Sequence, residues 1–349
     1  MSASPGILII RLSSLGDILH AMPAFADLRA SFPNSRIDWL VSEKHRSLLS
    51  AVRGIDTIHI LGTKAYGDFP LRSLIRNLRS QHYDFAIDFQ GLLKTAALSF
   101  FSGARTRLGF SRDLVREFPA HWFYNRTLPK PQGQFHVLQL NRMLAGLAGA
   151  VAVSAPLEFC VPENDSRLVE SMLLMLRNEQ LTDYVVINPG GGWSTKRWSL
   201  QKYGDLAKKI TLELGRPVVL TTGPGEETYY QTVADHCGGV QLRHFPVSFL
   251  QLIPLYQKAQ LIVGGDTGPF HLACALGVPV VGIFGPTSPV RNGPWRSEDE
   301  VVAHELPCSF CYGRSCATND ECMDISVDEV FAAVVRRLAK TGSSTNAFA

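Results

Sequence analysis

The chain has 349 residues, which is enough for two domains of ordinary size with separate hydrophobic cores. Its 46% hydrophobic and 19% charged residues, with a mean hydropathy of +0.05, exclude a disordered chain and indicate a core-rich α/β protein. No apolar run is long enough to span a membrane, and the first residues lack a basic, cleavable leader, so a cytoplasmic location is expected.

The net charge of +3 is unevenly distributed. Residues 1–130 contain 17 Lys and Arg against 10 Asp and Glu, whereas the remainder contains 17 against 21. A basic first half favours an anionic partner such as a phosphorylated glycolipid or a membrane surface, although solvated surface charge accounts for most of the excess. The sequence lacks an RNA-binding signature of basic and aromatic residues, and no nucleic acid partner is expected.

The chain opens with a predicted strand over 7–12, a tight loop, and a helix over 17–30 whose apolar residues follow helical spacing. Asp17 therefore stands where the helix begins, which allows two roles. It is either the N-cap of the helix, a position that Asp favours, or a carboxylate base that faces a cleft between two domains.

Further strands and helices alternate along the first half, with strands predicted over 36–41, 57–61 and 85–88 and helices over 43–52, 71–81 and 92–101. Such alternation is typical of a parallel sheet with right-handed crossovers. Asp88 and Gln90 follow the carboxyl end of a strand, where open α/β sheets bind ligands. Each is either a ligand contact or a loop residue that bonds its own backbone.

Residues 103–126 are predicted to be irregular and basic. Their arginines alternate with aromatic residues, and Arg116 and Arg126 are candidates for bidentate binding of phosphate or carboxylate groups. This segment is predicted to be an acceptor-binding loop, the alternative being surface arginines beside packed aromatic rings.

The alternation then repeats. A helix over 135–149 and a linker at 156–162 lead to a boundary at 165, so the predicted domains are residues 1–165 and 166–349. The second domain is predicted to contain strands at 184–188 and 217–222, and helices at 166–177, 200–214 and 249–258. Ser199 is the predicted cap of the 200–214 helix, and the last helix is expected to pack back on the first domain.

Two loops of the second domain suit a phosphorylated ligand. Gly190, Gly191 and Gly192 allow a backbone to approach a phosphate closely, and Lys196 supplies charge for a departing diphosphate unless it is simply solvated. Glu226 is predicted to open a helix, where it either accepts bonds from ribose hydroxyls or complements the helix dipole.

The stretch 261–286 is the one around which we expect the chain to be organised. It predicts a buried strand, a Gly-Gly loop, a helix with Pro269 near its first position, and a second buried strand. A helix N-terminus presents unpaired amides and the positive end of the dipole, which suits a diphosphate, although an ordinary capped crossover is the alternative. The residues placed to touch such a ligand are Asp266, Thr267, Gly268 and His271.

Four of the seven cysteines are close together in a C-x2-C-x4-C-x5-C pattern at Cys308, Cys311, Cys316 and Cys322. The pattern is compatible with zinc or an iron–sulfur cluster, but it is not that of a standard zinc finger. A packed thiol loop without metal is the preferred interpretation.

These segments together resemble glycosyltransferase family 9, the heptosyltransferases that build the inner core of lipopolysaccharide. The resemblance runs from Ile7 to about Ala339, and its most specific pieces are RLSSLGDILHAMPA, DFQGLLKTA, REFPAHWFYNR, NPGGGWSTKRW, TTGPGEE and GGDTGPFHLACALGVPVVGIFGPTSP. It implies the GT-B fold, in which two Rossmann-like domains with parallel sheets face a central cleft. It also implies an inverting transfer of heptose from ADP-heptose, without a required cofactor or metal, to a lipid A-linked anionic sugar at the inner face of the cytoplasmic membrane.

Matched motif by motif, the resemblance assigns Asp17 as general base and Lys196 as the lysine that neutralises the leaving diphosphate. The donor site is expected at Gly190, Gly191, Gly192, Glu226, Asp266, Thr267, Gly268 and His271, and the acceptor site at Ser14, Gly16, Asp88, Gln90, Arg116 and Arg126. The Asp88 and FYNR segments resemble heptosyltransferase I, whereas the PGGG and KRW segment and the cysteines resemble heptosyltransferase II. The acceptor therefore stays open between 3-deoxy-manno-octulosonic acid and the first heptose.

Two other functions fit the same scaffold. A sugar-nucleotide epimerase or hydrolase needs no acceptor site, and a non-catalytic nucleotide-sugar binding protein needs no base. An NAD dehydrogenase is disfavoured because no G-x-G-x-x-G follows the first strand.

Overall fold

The computed structural model describes residues 4–62, 71–153, 157–179, 181–316 and 321–341. The chain divides into two compact units, Met1–Cys160 and Val161–Ala349, and each is built on a six-stranded sheet. Pro156, with which the predicted linker begins, lies outside the described residues. In the part of the chain that is described, no helix is both long enough and apolar enough to cross a bilayer.

Strands and helices alternate through the first unit. The elements are β1 (Ile7–Ile10), α1 (Leu15–Ser31), β2 (Ile37–Ser42), α2 (Arg46–Ser50), β3 (Thr57–Leu61), α3 (Leu71–Ser80), β4 (Phe85–Asp88), α4 (Leu93–Phe101), β5 (Thr106–Phe110), β6 (Arg126–Leu128) and α5 (Val137–Gly146), with 3-10 helices at Glu43–His45 and Phe118–Phe123. The strands pair in parallel in the order β3-β2-β1-β4-β5-β6. The order reverses between β1 and β4, which is where such sheets open a ligand crevice.

The second unit repeats this plan. Its elements are α6 (Glu163–Asn178), β7 (Val185–Asn188), α7 (Leu200–Leu214), β8 (Val218–Thr222), α8 (Tyr229–His236), β9 (Leu242–Pro246), α9 (Leu252–Gln257), β10 (Leu261–Gly265), α10 (Gly268–Ala275), β11 (Val280–Phe284), α11 (Pro289–Asn292), β12 (Glu300–Ala303) and α12 (Val327–Thr341), with 3-10 helices at Ser194–Lys196 and Glu321–Met323. The parallel order is β12-β11-β10-β7-β8-β9, so β7 and β10 take the places of β1 and β4.

Continuous apolar runs form the central strands because both faces of each sheet are covered. All four residues of β1 and all five of β11 are buried. The helices are bounded by the residues that the sequence places at their ends. Ser199 accepts a hydrogen bond from the N–H of Lys202 at 3.4 Å and caps α7, and Gly215 ends it in the left-handed region at φ +63°.

The predicted fold class is confirmed, since the chain is an α/β protein with two Rossmann-like parallel sheets. The strands at 57–61 and 85–88 and the helix at 200–214 have the predicted bounds. The helix predicted over 43–52 is a 3-10 turn followed by the short α2. The last helix, α12, packs against α7 and the strands of its own unit.

Two local predictions are wrong. Residues 103–126 are not irregular throughout, because they contain β5 and the 3-10 helix Phe118–Phe123, and β6 begins at Arg126. These strands were missed because arginines interrupt their apolar pattern. Glu226 does not open a helix; it lies in the turn before α8, where its N–H donates to the Gly223 carbonyl at 3.1 Å.

Candidate active site

A polar cluster occupies the switch point of the first sheet, where the loops after β1 and β4 meet. Arg11, one residue beyond β1, is buried, and its guanidinium lies 2.8 Å from a carboxylate oxygen of Asp17 in the first turn of α1. The same oxygen lies 3.5 Å from the guanidinium of Arg116. Two cations of distant sequence position therefore converge on one carboxylate.

Asp17 is not the N-cap of α1. Ser14 occupies that position, and the other carboxylate oxygen of Asp17 accepts hydrogen bonds from the Ser14 hydroxyl at 2.9 Å and from its N–H at 3.2 Å. Asp17 thus stands three positions into the helix, in reciprocal contact with the cap. Its side chain keeps 19% of its surface exposed, so a substrate hydroxyl has access to the carboxylate.

The charge state of Asp17 follows from these neighbours. Burial acts to raise the pKa of Asp17, but the guanidinium groups of Arg11 and Arg116 outweigh it, so the pKa lies well below its ordinary value of 3.8. Arg116 is half exposed, so water screens its contribution and Arg11 carries more of the effect. Asp17 is a carboxylate at every physiological pH.

Asp88 and Gln90 support this cluster through hydrogen bonds in the loop after β4. Asp88 is fully buried, and one of its oxygens accepts from the backbone N–H of Gln90 at 2.8 Å while the other accepts from the Tyr124 hydroxyl at 2.7 Å. The side-chain oxygen of Gln90 accepts from the N–H of Leu12 at 2.7 Å. Burial raises the pKa of Asp88, although its hydrogen bonds oppose that shift.

These contacts give Asp88 and Gln90 a role in shaping the loop, the second of the two roles that the sequence allows. The loop they shape holds Arg11 in turn, because a guanidinium nitrogen of Arg11 donates to the carbonyl of Phe89. Gly16 lies beside Asp17 in the first turn of α1. Arg126 lies exposed on β6, and among the described residues it forms no ion pair.

The second unit carries a matching cluster after β7 and β10. The buried Asp266 follows β10; one carboxylate oxygen lies 2.7 Å from the Lys196 ammonium and the other 2.7 Å from a ring nitrogen of His271. Burial acts to raise the pKa of Asp266, but His271 and Lys196 outweigh it and the pKa lies well below 3.8. Asp266 therefore stays ionised and fixes the direction of both partners.

Thr267 is the N-cap of α10, and its hydroxyl accepts from the N–H of Phe270 at 3.4 Å. Gly268 is the first helical residue and Pro269 follows it, as the sequence predicts. The first amides of a helix have no partner within it, so the N-terminus of α10 is suited to an anion. Lys196 lies next to this end of the helix through its contact with Asp266.

Lys196 is also held by an aromatic ring. Its ammonium lies 4.3 Å from the ring centroid of Trp193, and the guanidinium of Arg314 lies 5.0 Å from the same centroid. An ammonium group has three hydrogens; the Asp266 carboxylate accepts one at 2.7 Å and the Asp266 backbone carbonyl accepts a second at 3.4 Å, which leaves one. Lys196 is therefore fixed in place with donor capacity left for a ligand.

The three glycines at 190–192 have unequal surroundings. A Cβ added at Gly190 would lie 2.3 Å from the carboxylate of Glu226, and one at Gly191 would lie 2.9 Å from the Arg197 side chain, whereas Gly192 faces open space. Glu226 itself accepts from the N–H of Gly223 at 2.9 Å. Gly190 thus leaves room for the carboxylate of Glu226 to approach the backbone.

The late cysteines differ in their exposure. Cys308, Cys311 and Cys316 are exposed, whereas Cys322 is buried near Gly285. Within the described residues, which include all four, no three His, Cys, Asp or Glu side chains are arranged to hold an ion.

Three important residues were not among the predicted site residues. Arg11 ends an apolar strand and is charged, which was the one available signal that it serves the loop. Tyr124 gave no such signal, because its partner Asp88 lies 36 residues earlier in the chain. Trp193 lies only three residues before Lys196, but this loop has no regular pattern from which the contact could be predicted. Tyr124 packs over Gly109, where a Cβ would lie 2.3 Å from its ring.

Two Rossmann-like parallel sheets in one chain, each with a polar cluster at its switch point, are the architecture of the GT-B fold. A solved glycosyl transferase family 9 protein from Veillonella parvula superposes with a TM-score of 0.76 at 20% identity, over 96% of this chain and 97% of that one. The heptosyltransferase WaaC of E. coli, solved with ADP, gives a TM-score of 0.72 at 23% identity, over 97% and 100%. The fold of the whole chain is therefore that of these enzymes.

The chain belongs to glycosyltransferase family 9, the heptosyltransferases, whose family model matches residues 71–321. The resemblance inferred from the sequence motifs is confirmed. Lipopolysaccharide heptosyltransferase 1 of Pseudomonas aeruginosa is 29% identical over 332 residues, covering 89% of this chain and 87% of that protein.

Proposed function

We propose that this protein is an inverting heptosyltransferase that transfers L-glycero-D-manno-heptose from ADP-heptose to the inner core of lipopolysaccharide. The acceptor sugar is 3-deoxy-manno-octulosonic acid or the first heptose. Membership of the family, the name of the Pseudomonas relative, and the ADP bound to the E. coli enzyme support the choice of donor and product.

One observation carries the proposal: Asp17 is held as a carboxylate, partly exposed, at the switch point of the first sheet. An acceptor hydroxyl loses its proton readily once its oxygen begins to bond to the anomeric carbon, because positive charge then develops on that oxygen. A weak base that is always ionised suffices for this step. Arg11 and Arg116 keep it ionised, and Arg116 also presents positive charge to an anionic acceptor.

The donor occupies the second unit in this proposal. Its diphosphate lies at the N-terminus of α10, near Gly268, and Lys196 stabilises the negative charge that grows on the leaving ADP. Gly192, which faces open space, allows the backbone to approach the ligand closely. Glu226, in the turn after β8, accepts bonds from the ribose hydroxyls.

The reaction is a single displacement at the anomeric carbon. The acceptor oxygen attacks the anomeric carbon, its proton passes to Asp17, and the bond to the diphosphate oxygen breaks on the opposite side, so the configuration inverts. Positive charge for the leaving group comes from Lys196 and the helix amides, and the proposal therefore requires no metal ion. The acceptor is anchored in a lipid, so we place the enzyme at the inner face of the cytoplasmic membrane.

The test is mass spectrometry of the products formed from ADP-heptose and lipid A that carries one or two 3-deoxy-manno-octulosonic acid units. We expect one acceptor to gain a single heptose and one equivalent of ADP to appear. Release of ADP without a glycosylated product would instead indicate a hydrolase, and an epimerised nucleotide sugar would indicate an epimerase. Binding of ADP-heptose with no turnover on any acceptor would leave a binding protein.

A further inference from the structure

Four aromatic side chains lie exposed on one side of the first unit. They are Phe100 and Phe101 at the end of α4, and Phe118 and Trp122 in the 3-10 helix that follows β5; we call these four the aromatic patch. Their exposed fractions are 49%, 44%, 46% and 68%, respectively. Exposing this much aromatic surface in water is unfavourable, so such a surface marks an interaction site.

The two helices that carry the aromatic patch pack against each other. The 3-10 helix packs on α4 through the buried Ala96 and Ala120, and the N–H of Leu93 donates to the Glu117 carboxylate at 2.6 Å. Phe123, in the same 3-10 helix, has its ring centroid 6.0 Å from that of Phe100, which joins the two halves of the patch. The aromatic rings therefore keep their positions without a partner.

Cations surround the aromatic patch. The Arg112 guanidinium lies 4.7 Å from the Phe118 ring centroid, and the Arg107 guanidinium lies 5.3 Å from that of Phe100. Residues 93–130 contain seven Lys and Arg against two Asp and Glu, and Lys94 is exposed on α4. Aromatic rings within a basic field match the boundary layer of an anionic bilayer, where rings enter the headgroup region and cations meet lipid phosphates.

The aromatic patch is next to the proposed base. Arg116, whose guanidinium lies 3.5 Å from Asp17, precedes Phe118 by two residues in the chain. A sugar that is covalently attached to a membrane lipid reaches Asp17 by the shortest path if the protein lies on the bilayer with this side down.

We propose that the aromatic patch and its arginines are the surface by which this protein docks on an anionic phospholipid bilayer. Trp122, Phe118 and Phe101 insert among the headgroups, and Arg112 pairs with lipid phosphates. This proposal rests on the membrane location proposed above and identifies the surface of the protein that contacts the bilayer. Its test does not depend on catalysis. A protein partner is disfavoured because the charge around the rings is mostly positive, with seven Lys and Arg against two Asp and Glu over residues 93–130.

The first experiment measures flotation of the purified full chain with vesicles of phosphatidylcholine, with and without phosphatidylglycerol. We expect binding to the anionic vesicles and at least tenfold weaker partitioning of Trp122→Ser/Phe101→Ser. Arg112→Gln should lose about fivefold, since each basic residue near an anionic surface contributes about 1 kcal/mol. Leu212→Ser is the matched control, because Leu212 is 66% exposed on α7 in the second unit.

A second measurement locates the contact. Lipids brominated near the headgroup should quench the fluorescence of the wild type, and Trp122→Phe should remove most of the quenching while it keeps vesicle binding, since Trp39 and Trp198 are buried and Trp193 and Trp295 are half-buried and belong to the second unit. Undiminished binding by Trp122→Ser/Phe101→Ser would overturn the proposal. So would equal binding to neutral and anionic vesicles, or a concentration-dependent dimer of the wild type that these substitutions abolish.

The docking surface and the proposed function fail separately. Phe101→Ser should transfer heptose at the wild-type rate to an acceptor freed of its acyl chains and more slowly to the same acceptor in vesicles. Vesicle binding by an inactive wild type would refute the function and leave the docking surface standing. Transfer to both acceptors at unchanged rates by Phe101→Ser, with vesicle binding unchanged, would refute the docking surface alone.

Discussion

The two switch points of this molecule are built on the same strand order but hold opposite arrangements of charge. After β1 and β4, two guanidinium groups converge on the single carboxylate of Asp17. After β7 and β10, the single carboxylate of Asp266 serves both Lys196 and His271. In the first unit the shared group is partly exposed, whereas in the second it is buried.

The difference separates a group that reacts from a group that positions. Asp17 pairs with a buried guanidinium, that of Arg11, and remains partly exposed to solvent, so its ionised carboxylate is available to a substrate. Both carboxylate oxygens of Asp266 are engaged by its neighbours Lys196 and His271. Lys196, which Asp266 holds in place, is the group that can still donate a hydrogen bond to a ligand. The first cluster thus presents a carboxylate next to the half-exposed guanidinium of Arg116, whereas the second presents the ammonium of Lys196.

Asp17→Ala tests the reacting group and has the largest expected effect. We expect kcat to fall by about 10²- to 10⁴-fold, because the other carboxylate of this cluster among the described residues, Asp88, is fully buried, while ADP affinity measured by calorimetry stays unchanged. Asp113→Ala, which removes an exposed carboxylate in the same unit, is the control and should retain full activity. Near-normal turnover of Asp17→Ala would remove it as the base.

Lys196→Ala tests the positioned cation. Loss of its charge should lower kcat by about 10²- to 10³-fold and also weaken ADP binding, because the lysine contacts the donor in both the ground state and the transition state. Lys208→Ala, at an exposed position on α7, should change neither quantity. If Lys196→Ala bound ADP as tightly as the wild type, the lysine would have no place at the diphosphate.

Thr267→Ala compares a cap at the proposed donor site with a cap elsewhere. Thr267 caps α10 and Ser199 caps α7, each with a donor–acceptor distance of 3.4 Å, so either alanine substitution should cost about 1 kcal/mol in the free energy of unfolding. Only Thr267→Ala should also weaken ADP binding, by a few fold. An equal loss of ADP affinity in Ser199→Ala would show that the effect is one of general stability.

The smallest expected change is that of protein stability with pH near neutrality. Because the folded-state pKa values of Asp17 and Asp266 lie below 3.8, the stability they contribute is complete above that pH and is lost as the pH falls through the lower values. Urea midpoints should therefore change little through these groups between about pH 8 and 5 and fall steeply below about pH 4. Asp17→Asn should make the urea midpoint fall less steeply below about pH 4. If the midpoint fell as steeply as in the wild type, the ion pairs of Asp17 would add no stability.

Much of the fold followed from periodicity and turn residues. The apolar runs of β3 and β4 and the cap and glycine of α7 define their own bounds, so local sequence was sufficient. It failed at β5 and β6, where Arg107 and Arg126 interrupt short strands that depend on pairing with their neighbours. Pairing between strands is a tertiary property that one window of sequence does not contain.

The candidate site shows the same division. The pairing of Asp266 with His271 spans five residues of one loop and helix, so the sequence placed both correctly in one cluster. Asp88 accepts a hydrogen bond from Tyr124, 36 residues further along, and Asp17 pairs with Arg11 and also with Arg116, which is 99 residues further along. The sequence identifies Asp17 and Asp88 as candidate site residues, but only the folded structure shows that Asp17 is partly exposed and that Asp88 is buried.

The contact between Gly109 and Tyr124 has a practical consequence for chimeric enzymes. The segment between β5 and β6 contains Arg116 and two members of the aromatic patch, Phe118 and Trp122, so it is the natural piece to exchange with a relative in order to change acceptor preference. Tyr124 lies where any side chain at position 109 would stand, and its hydroxyl binds Asp88. A working graft must therefore transplant positions 88, 109 and 124 as one set.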